Sequence, residues 1–255
     1  MTYPILEHDP TQEAFVEPTR IIKKRDMPEK CVVCFFSDVI EKVVSEHDAS
    51  TIVENRWEDG PHPVYEISYR GQRLAFFHPG IGSALSAALL EEVIAFGGRH
   101  FIACGGCGVL EKDIAAGQLL VVSAAVRDEG ASYHYLPPAR EVTANPQVLK
   151  GLVDLLTDRG LPYLVGKTWT TAAPYRETPA RIQARKDEGC LAVEMEAAGL
   201  MAVAEFRSAP FGQILYAGDD LSGPEWDNRG WQSLSEVREQ LFWLAADAVF
   251  SLEQE

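Results

Sequence analysis

The stretch that decides the fold is "CLAVEMEAAGLMAVAEFR", residues 190–207. Cys190 to Val193 is a short apolar run of the kind that forms a buried strand. From Ala197 onward the residues are small, apolar helix formers. Between the two lie Glu194, Met195 and Glu196. Two carboxylates at the edge of a core are costly unless something compensates them. The strand-to-helix handover also says that this part of the chain is α/β.

Outward from that point the pattern repeats. Strands are expected at 31–36, 63–80 (folded back at "RGQR"), 100–106, 117–129, 161–171, 190–195 and 211–218. Helices are expected at 37–47, 80–98, 145–160, 178–189, 197–207 and 233–253. Such alternation predicts one α/β domain with a central, largely parallel or mixed β-sheet. The boundaries follow: an N-terminal arm over 1–30, rich in Pro and acids, and one α/β domain over 31–255.

Composition narrows the function. The chain has 255 residues, is 46% hydrophobic and carries a net charge of −15. That charge argues against a nucleic-acid partner, which needs a basic face. No run of 18 apolar residues exists, so no membrane span is expected, and the N-terminus lacks the layout of a secretory signal. The five cysteines spell C-x-x-C twice, at 31–34 and 104–107. Residues three apart on a strand point to opposite faces, so a zinc site is not expected. Buried thiols in a reducing cytoplasm are the better reading, with no metal and no organic cofactor.

In an α/β sheet of this kind the ligand sits at the carboxyl ends of the strands. Four strand ends are unusual: "FHPGIGS" (77–83), "CGGCG" (104–108), "VEME" (193–196) and "YAGDDLSG" (216–223). The G-x-G turn does not make a dinucleotide fingerprint, because the third glycine position is Leu85 and no acid ends the next strand. The acids suggest glycosidic chemistry instead. One carboxylate can accept two hydrogen bonds from a sugar diol. A second can serve as acid to a leaving base. Negative charge also favours the oxocarbenium character that builds on the sugar. The competing readings are helix N-terminal charge for Glu194 and Glu196, and an Asx turn for Asp219 and Asp220.

The ordered set "GIGSALSAALLEEVIAFG", "FIACGGCGVL", "VVSAAVRDEGASYHYLP", "GKTWTTAAPYRET" and "LAVEMEAAGLMAVAE" resembles the nucleoside phosphorylase family. That family includes uridine phosphorylases, bacterial purine nucleoside phosphorylases and related hydrolytic nucleosidases. The resemblance spans roughly residues 31 to 252 and implies a single three-layer α/β domain, a central mixed β-sheet flanked by helices, that cleaves a nucleoside's N-glycosidic bond as a dimer-based homo-oligomer, often a hexamer. It implies that Met195 and Glu196 contact the ribose, with Glu196 on the 2′ and 3′ hydroxyls. Glu194 becomes a neighbouring acid of open role. Trp169 is placed against the base, and Ile81 and Gly82 near the sugar. Gly105 and Gly106 line the site. Asp219 is the acid that assists the leaving base, with Asp220 as the register alternative. Asp219 favours a purine. Arg181 and Gln183 are weak counterparts of the pyrimidine-reading pair.

Departures from the family bear on the nucleophile. Phosphorolytic members carry a Gly-Asp-Pro-x-x-Arg-like turn after the first strand. Here Ser37 replaces the Gly and Glu41 falls at or near the Arg. They also carry Arg-Val-Gly-Ser or Arg-Val-Gly-Thr where this chain reads Ala103-Cys104-Gly105-Gly106. Two readings follow. In one, phosphate is the co-substrate and a rebuilt anion site draws on Arg56, Lys42, Arg127 or Arg176, some from a neighbouring subunit. In the other, water attacks with Glu41 or Asp38 as base. A non-catalytic nucleoside binder is the third alternative.

Overall fold

The computed structural model describes residues 3–252. Ten strands run in chain order: β1 (Lys30–Cys34), β2 (Ser50–Trp57), β3 (Gly60–Tyr69), β4 (Gln72–Phe77), β5 (His100–Val109), β6 (Leu119–Asp128), β7 (Glu141–Thr143), β8 (Tyr163–Thr171), β9 (Cys190–Glu194) and β10 (Phe211–Asp220). The helices are α1 (Pro18–Ile21), α2 (Ser37–Glu46), α3 (Ser83–Phe96), α4 (Ser132–Tyr135), α5 (Pro146–Asp158), α6 (Pro179–Asp187), α7 (Ala197–Phe206) and α8 (Ser235–Ser251).

The strands form one mixed sheet in the order β10-β6-β8-β9-β5-β1-β4-β3-β2, with β7 added on β6. β10 also pairs with β5, so β5, β10, β6, β8 and β9 close into a ring. Helices cover both faces. One core cluster holds α3 and α7 residues such as Leu90 and Leu200. The other holds α2, α5 and α8 residues such as Val43, Leu152 and Phe242. The α/β domain expected from the alternation, and the three layers implied by the resemblance, are therefore the fold observed.

The layers follow from the sequence. Asn145 caps α5, its side chain accepting the N–H groups of Gln147 and Val148 at 2.9 and 3.2 Å, ahead of a Pro at the first turn. Arg70 and Gly71 both have positive φ, 51° and 75°, which turns β3 into β4 as "RGQR" predicted. Cys31 and Cys34 fall in opposite core clusters, as alternation requires. β2 is an addition to the expected strands. Its burial is only partial, so the polar "STIVENRW" carries little apolar signal.

β5 positions the site. Its first half, from His100 to Cys104, pairs in parallel with β1, which ends at Cys34. Its last residues, Gly108 and Val109, pair with β9 instead. On this edge of β5, β1 and β9 therefore part around Gly105 to Cys107, which stay paired with β10 on the other edge, and a crevice opens where the partner switches.

The arm is docked rather than loose. Glu17 is buried, and its carboxylate receives Arg207 at 3.1 Å. Arg207 in turn donates to Glu91 on α3 at 2.7 Å.

Candidate active site

The crevice has a volume of about 340 Å³. Its walls include Phe35, Phe36, Ile81, Gly105, Gly106, Cys107, Glu194, Met195, Glu196, Tyr216, Asp219, Trp231 and Arg238. The strand-end segments read from the sequence thus meet in one place.

The end of β9 separates its two acids by function. Glu194 Oε2 accepts the backbone N–H groups of Glu196 and Ala197 at 2.7 and 2.6 Å. Its Oε1 accepts the Thr170 hydroxyl at 2.6 Å. Thr170 Oγ1 accepts the next free donor, the Ala198 N–H, at 3.0 Å. Between them Glu194 and Thr170 satisfy the first N–H groups of α7, which have no partner inside the helix. Glu194 is therefore the helix acid.

Glu196 faces the crevice. Gly82 donates its N–H to Glu196 Oε1 at 2.6 Å, and no ion pair engages the group among the described residues. Burial first, then the Glu194 charge, pushes the Glu196 carboxyl well above the ordinary value of 4.5. Burial also raises Glu194. Donors hold both groups: Thr170, Glu196 and Ala197 on Glu194, and backbone N–H groups including that of Gly82 on Glu196.

The G-x-G turn delivers that donor. Gly80 and Gly82 have φ of 76° and 86°, and a Cβ on Gly80 would lie 2.3 Å from the Leu85 side chain. Only glycine fits there. Ser83 then donates its hydroxyl to the Met195 carbonyl at 2.9 Å. A Cβ on Gly199 would lie 2.8 Å from that of Ser83, so the glycine of "EMEAAG" lets α3 and α7 approach closely.

At the other end of the crevice, the Trp226 indole N–H donates to Asp219 Oδ2 at 2.6 Å. Asp220 points elsewhere. It is ion-paired with Arg229 and accepts the Ser222 N–H at 2.7 Å, which makes it the turn residue and leaves Asp219 in the register that faces the crevice. Glu177, half-buried nearby, is pushed up to about 7 by its burial and then by the Asp219 charge.

Several sequence candidates lie outside this crevice. Trp169 is fully buried on the face of β8 that packs against Leu110, Val126 and Cys190. Its indole N–H donates to Asp128 at 2.9 Å, so it is a core residue and not a wall against the base. Arg127 is buried too, and spends its donors on Ser132 Oγ and the Leu136 and Pro137 carbonyls. It braces the loop after β6. Arg176 is exposed, and Arg56 is exposed on β2 beside Glu54. Lys42 pairs with Glu239 at 2.8 Å. Glu41 lies on the exposed face of α2 and does not line the crevice. Arg181 pairs with Asp128 and Gln183 with Asp187.

A family model described as the phosphorylase superfamily matches residues 30–241. The chain belongs to the phosphorylase superfamily. Among superfamily relatives, it is 27% identical over 198 residues to a guanosine phosphorylase of Halorubrum lacusprofundi, covering 78% of this chain and 81% of that protein. A DeoD-type purine nucleoside phosphorylase of Bacillus cereus is 30% identical over 139 residues, 54% of this chain and 59% of that protein. A uridine phosphorylase of Vibrio fischeri superposes with a TM-score of 0.74 at 24% identity, covering 89% of this chain and 92% of its own. An AMP nucleosidase of Bacteroides thetaiotaomicron gives 0.69 at 24%, with 88% of each chain covered. These likenesses in structure carry the fold.

Arg238 is the crevice residue that the sequence did not announce. It lies in the first turn of α8, and among the described residues it is the single cation lining the crevice. Its guanidinium lies 4.8 Å from the Phe36 ring centroid, and Nη2 is ion-paired with Asp38 Oδ1 at 2.8 Å. A signal existed: first helical turns favour acids, and "SEVRE" places an arginine there. Tyr216 is the second addition. A Cβ on Gly106 would lie 3.1 Å from its ring, so Tyr216 occupies the space into which a residue-106 hydroxyl side chain would project.

Proposed function

We propose that this chain cleaves the N-glycosidic bond of a nucleoside, with inorganic phosphate as the acceptor. The observation that carries the reading is Glu196, a buried carboxyl with no ion-pair partner whose crevice also holds Asp219. A buried acid left in this state needs a ligand that donates to it, and a ribose diol offers two hydroxyl donors.

In this reading the sugar lies along Met195 and Ile81, with its 2′ and 3′ hydroxyls on Glu196. Asp219 faces the base; Trp226 occupies Oδ2, which leaves Oδ1 for the ligand. A phosphate oxygen donates its electron pair to C1′ while the C1′–N bond breaks. That bonding pair goes to the base, which leaves with one proton passed on by Asp219 and restored to it from solvent. The products are ribose 1-phosphate and free base. Asp219 favours a purine, because a carboxyl can protonate or bond N7. The chemistry asks for no metal or organic cofactor. A dimer-based homo-oligomer in the cytoplasm belongs to the same proposal, with exposed Arg56 available to a second copy. Among the described residues no helix is long and apolar enough to cross a membrane.

One observation favours a second reading. Asp38 does not line the crevice either, but unlike Glu41 it pairs with Arg238, which does, and from there it could activate water. Incubation with a nucleoside panel, with and without phosphate, separates the two. Base release that requires phosphate and yields ribose 1-phosphate supports phosphorolysis. Free ribose released without phosphate supports hydrolysis, and binding without turnover supports a nucleoside-binding protein.

A further inference from the structure

Arg238 carries a further assignment, which rests on the phosphorolytic reading. The family's usual phosphate ligands are missing from the first-strand turn and from β5. In their place stand Ser37, Glu41, Ala103 and Gly106. The crevice is otherwise acidic, with Glu194, Glu196 and Asp219 in its walls and Asp38 beside it. A dianion entering it meets like charges in a low dielectric and needs a cation to stay. Arg238 is the single cation on those walls among the described residues.

Its geometry is that of an anion site held half open. The Nε–H and the adjacent Nη2–H of a guanidinium form one edge that grips two oxygens at once. The Asp38 ion pair falls on Nη2, at 2.8 Å. Nε, on the same edge, is buried and has no hydrogen-bond partner. A buried donor without an acceptor is uncommon and destabilising. Were the Asp38 pair the whole purpose of Arg238, a modest shift of the half-exposed Asp38 would satisfy both donors. The orphaned Nε belongs to a residue that lines the crevice.

The position fits as well. Phe36, under the guanidinium, ends the segment from β1 into α2, and its ring packs on Tyr216 with centroids 5.8 Å apart. Tyr216 is the ring that fills the space beside Gly106. Arg238 therefore reaches, from the C-terminal helix, the end of the crevice bordered by Phe36 and Gly106, where the two missing ligand segments lie.

We propose that Arg238 holds the attacking phosphate in this protein, with Asp38 as the occupant that the phosphate displaces from its Nε–Nη2 edge. The anion site has been rebuilt from α8 after its usual ligands were replaced.

The test is binding of inorganic phosphate to the full-length protein by calorimetry, without nucleoside, on wild type, Arg238→Gln, Arg238→Lys and Asp38→Asn. Wild type binds phosphate. Arg238→Gln weakens that binding at least 30-fold, Arg238→Lys recovers part of it because the charge remains without the fork, and Asp38→Asn tightens it because the competing charge is gone. Thermal unfolding confirms that each variant is folded; the ion pair is largely exposed on the Asp38 side and adds little stability. Phosphate binding equal in wild type and Arg238→Gln overturns the assignment while phosphorolysis stands. No phosphate binding in wild type, with nucleoside hydrolysed to free ribose, overturns both.

Discussion

Glu194 accepts the backbone N–H of Glu196 at 2.7 Å, and that bond divides the labour of the two acids. Because Glu194 and Thr170 satisfy the start of α7, the Glu196 side chain is released from capping and faces the crevice. Its raised pKa has a consequence for stability. A carboxyl raised on folding stabilises the fold at pH values below its ordinary 4.5, and that contribution is lost as pH rises through neutrality,. Glu196→Gln should therefore unfold at a higher temperature than wild type above pH 7, by about 2–4 °C for each kcal/mol gained in a chain of this size. The gap should close towards pH 5. A thermal melt series from pH 5 to 8.5 checks this, and a constant gap would contradict the raised pKa of Glu196.

Glu194 should behave oppositely. Glu194→Ala strands two backbone donors of α7 and the Thr170 hydroxyl, a loss of about 1–3 kcal/mol for each buried group left unsatisfied. Denaturant unfolding should show a large loss of stability. Thr170→Val should lose less, since it removes the Ala198 partner and one donor to Glu194.

Asp219→Asn should lower kcat/KM for purine nucleosides by about 10²–10⁴, the usual scale of a positioned acid, and pyrimidine nucleosides less. Trp226→Phe should produce a smaller loss, because it frees Oδ2 without removing the acid. Equal effects of Asp219→Asn on both classes would remove its role at N7. Glu41→Gln should leave rates within about two-fold, since surface positions away from the site contribute little.

Restoring a hydroxyl on β5 should fail. Gly106→Thr brings a Cβ to 3.1 Å from the buried Tyr216 ring, and overpacking of this kind costs about 1–3 kcal/mol. Its melting temperature should drop, with no gain in phosphate affinity. Tighter phosphate binding in Gly106→Thr would mean that the space beside Tyr216 is still open.

The layers and the strand ends could be read in the sequence because both rest on local pattern. The acids of "EMEAAG", the G-x-G turn and "GDD" each sit at a strand-to-loop or strand-to-helix boundary, where periodicity breaks visibly. What pattern cannot show is which face of a strand meets which neighbour. Trp169 is fully buried and does not line the crevice, and resemblance alone placed it at the base. Arg127 stands near the end of β6, and three acceptors from the segment that follows the strand surround it. The double partnership of β5, which opens the crevice, depends on where β1 stops and β9 begins. Arg238 was hidden for the same reason: its helix reads as an ordinary surface helix until α8 is laid across β1 and β5.

The central claim is that Glu196 grips the sugar diol, and a substrate pair tests it directly. The measurement is kcat/KM for a ribonucleoside and for its 2′,3′-dideoxy analogue, on wild type and on Glu196→Gln. Wild type should prefer the ribonucleoside by at least about 10²-fold, two charge-assisted bonds being lost in the analogue, and Glu196→Gln should erase most of that preference while barely changing the dideoxy rate. An equal loss on both substrates would place Glu196 away from the diol and contradict the account.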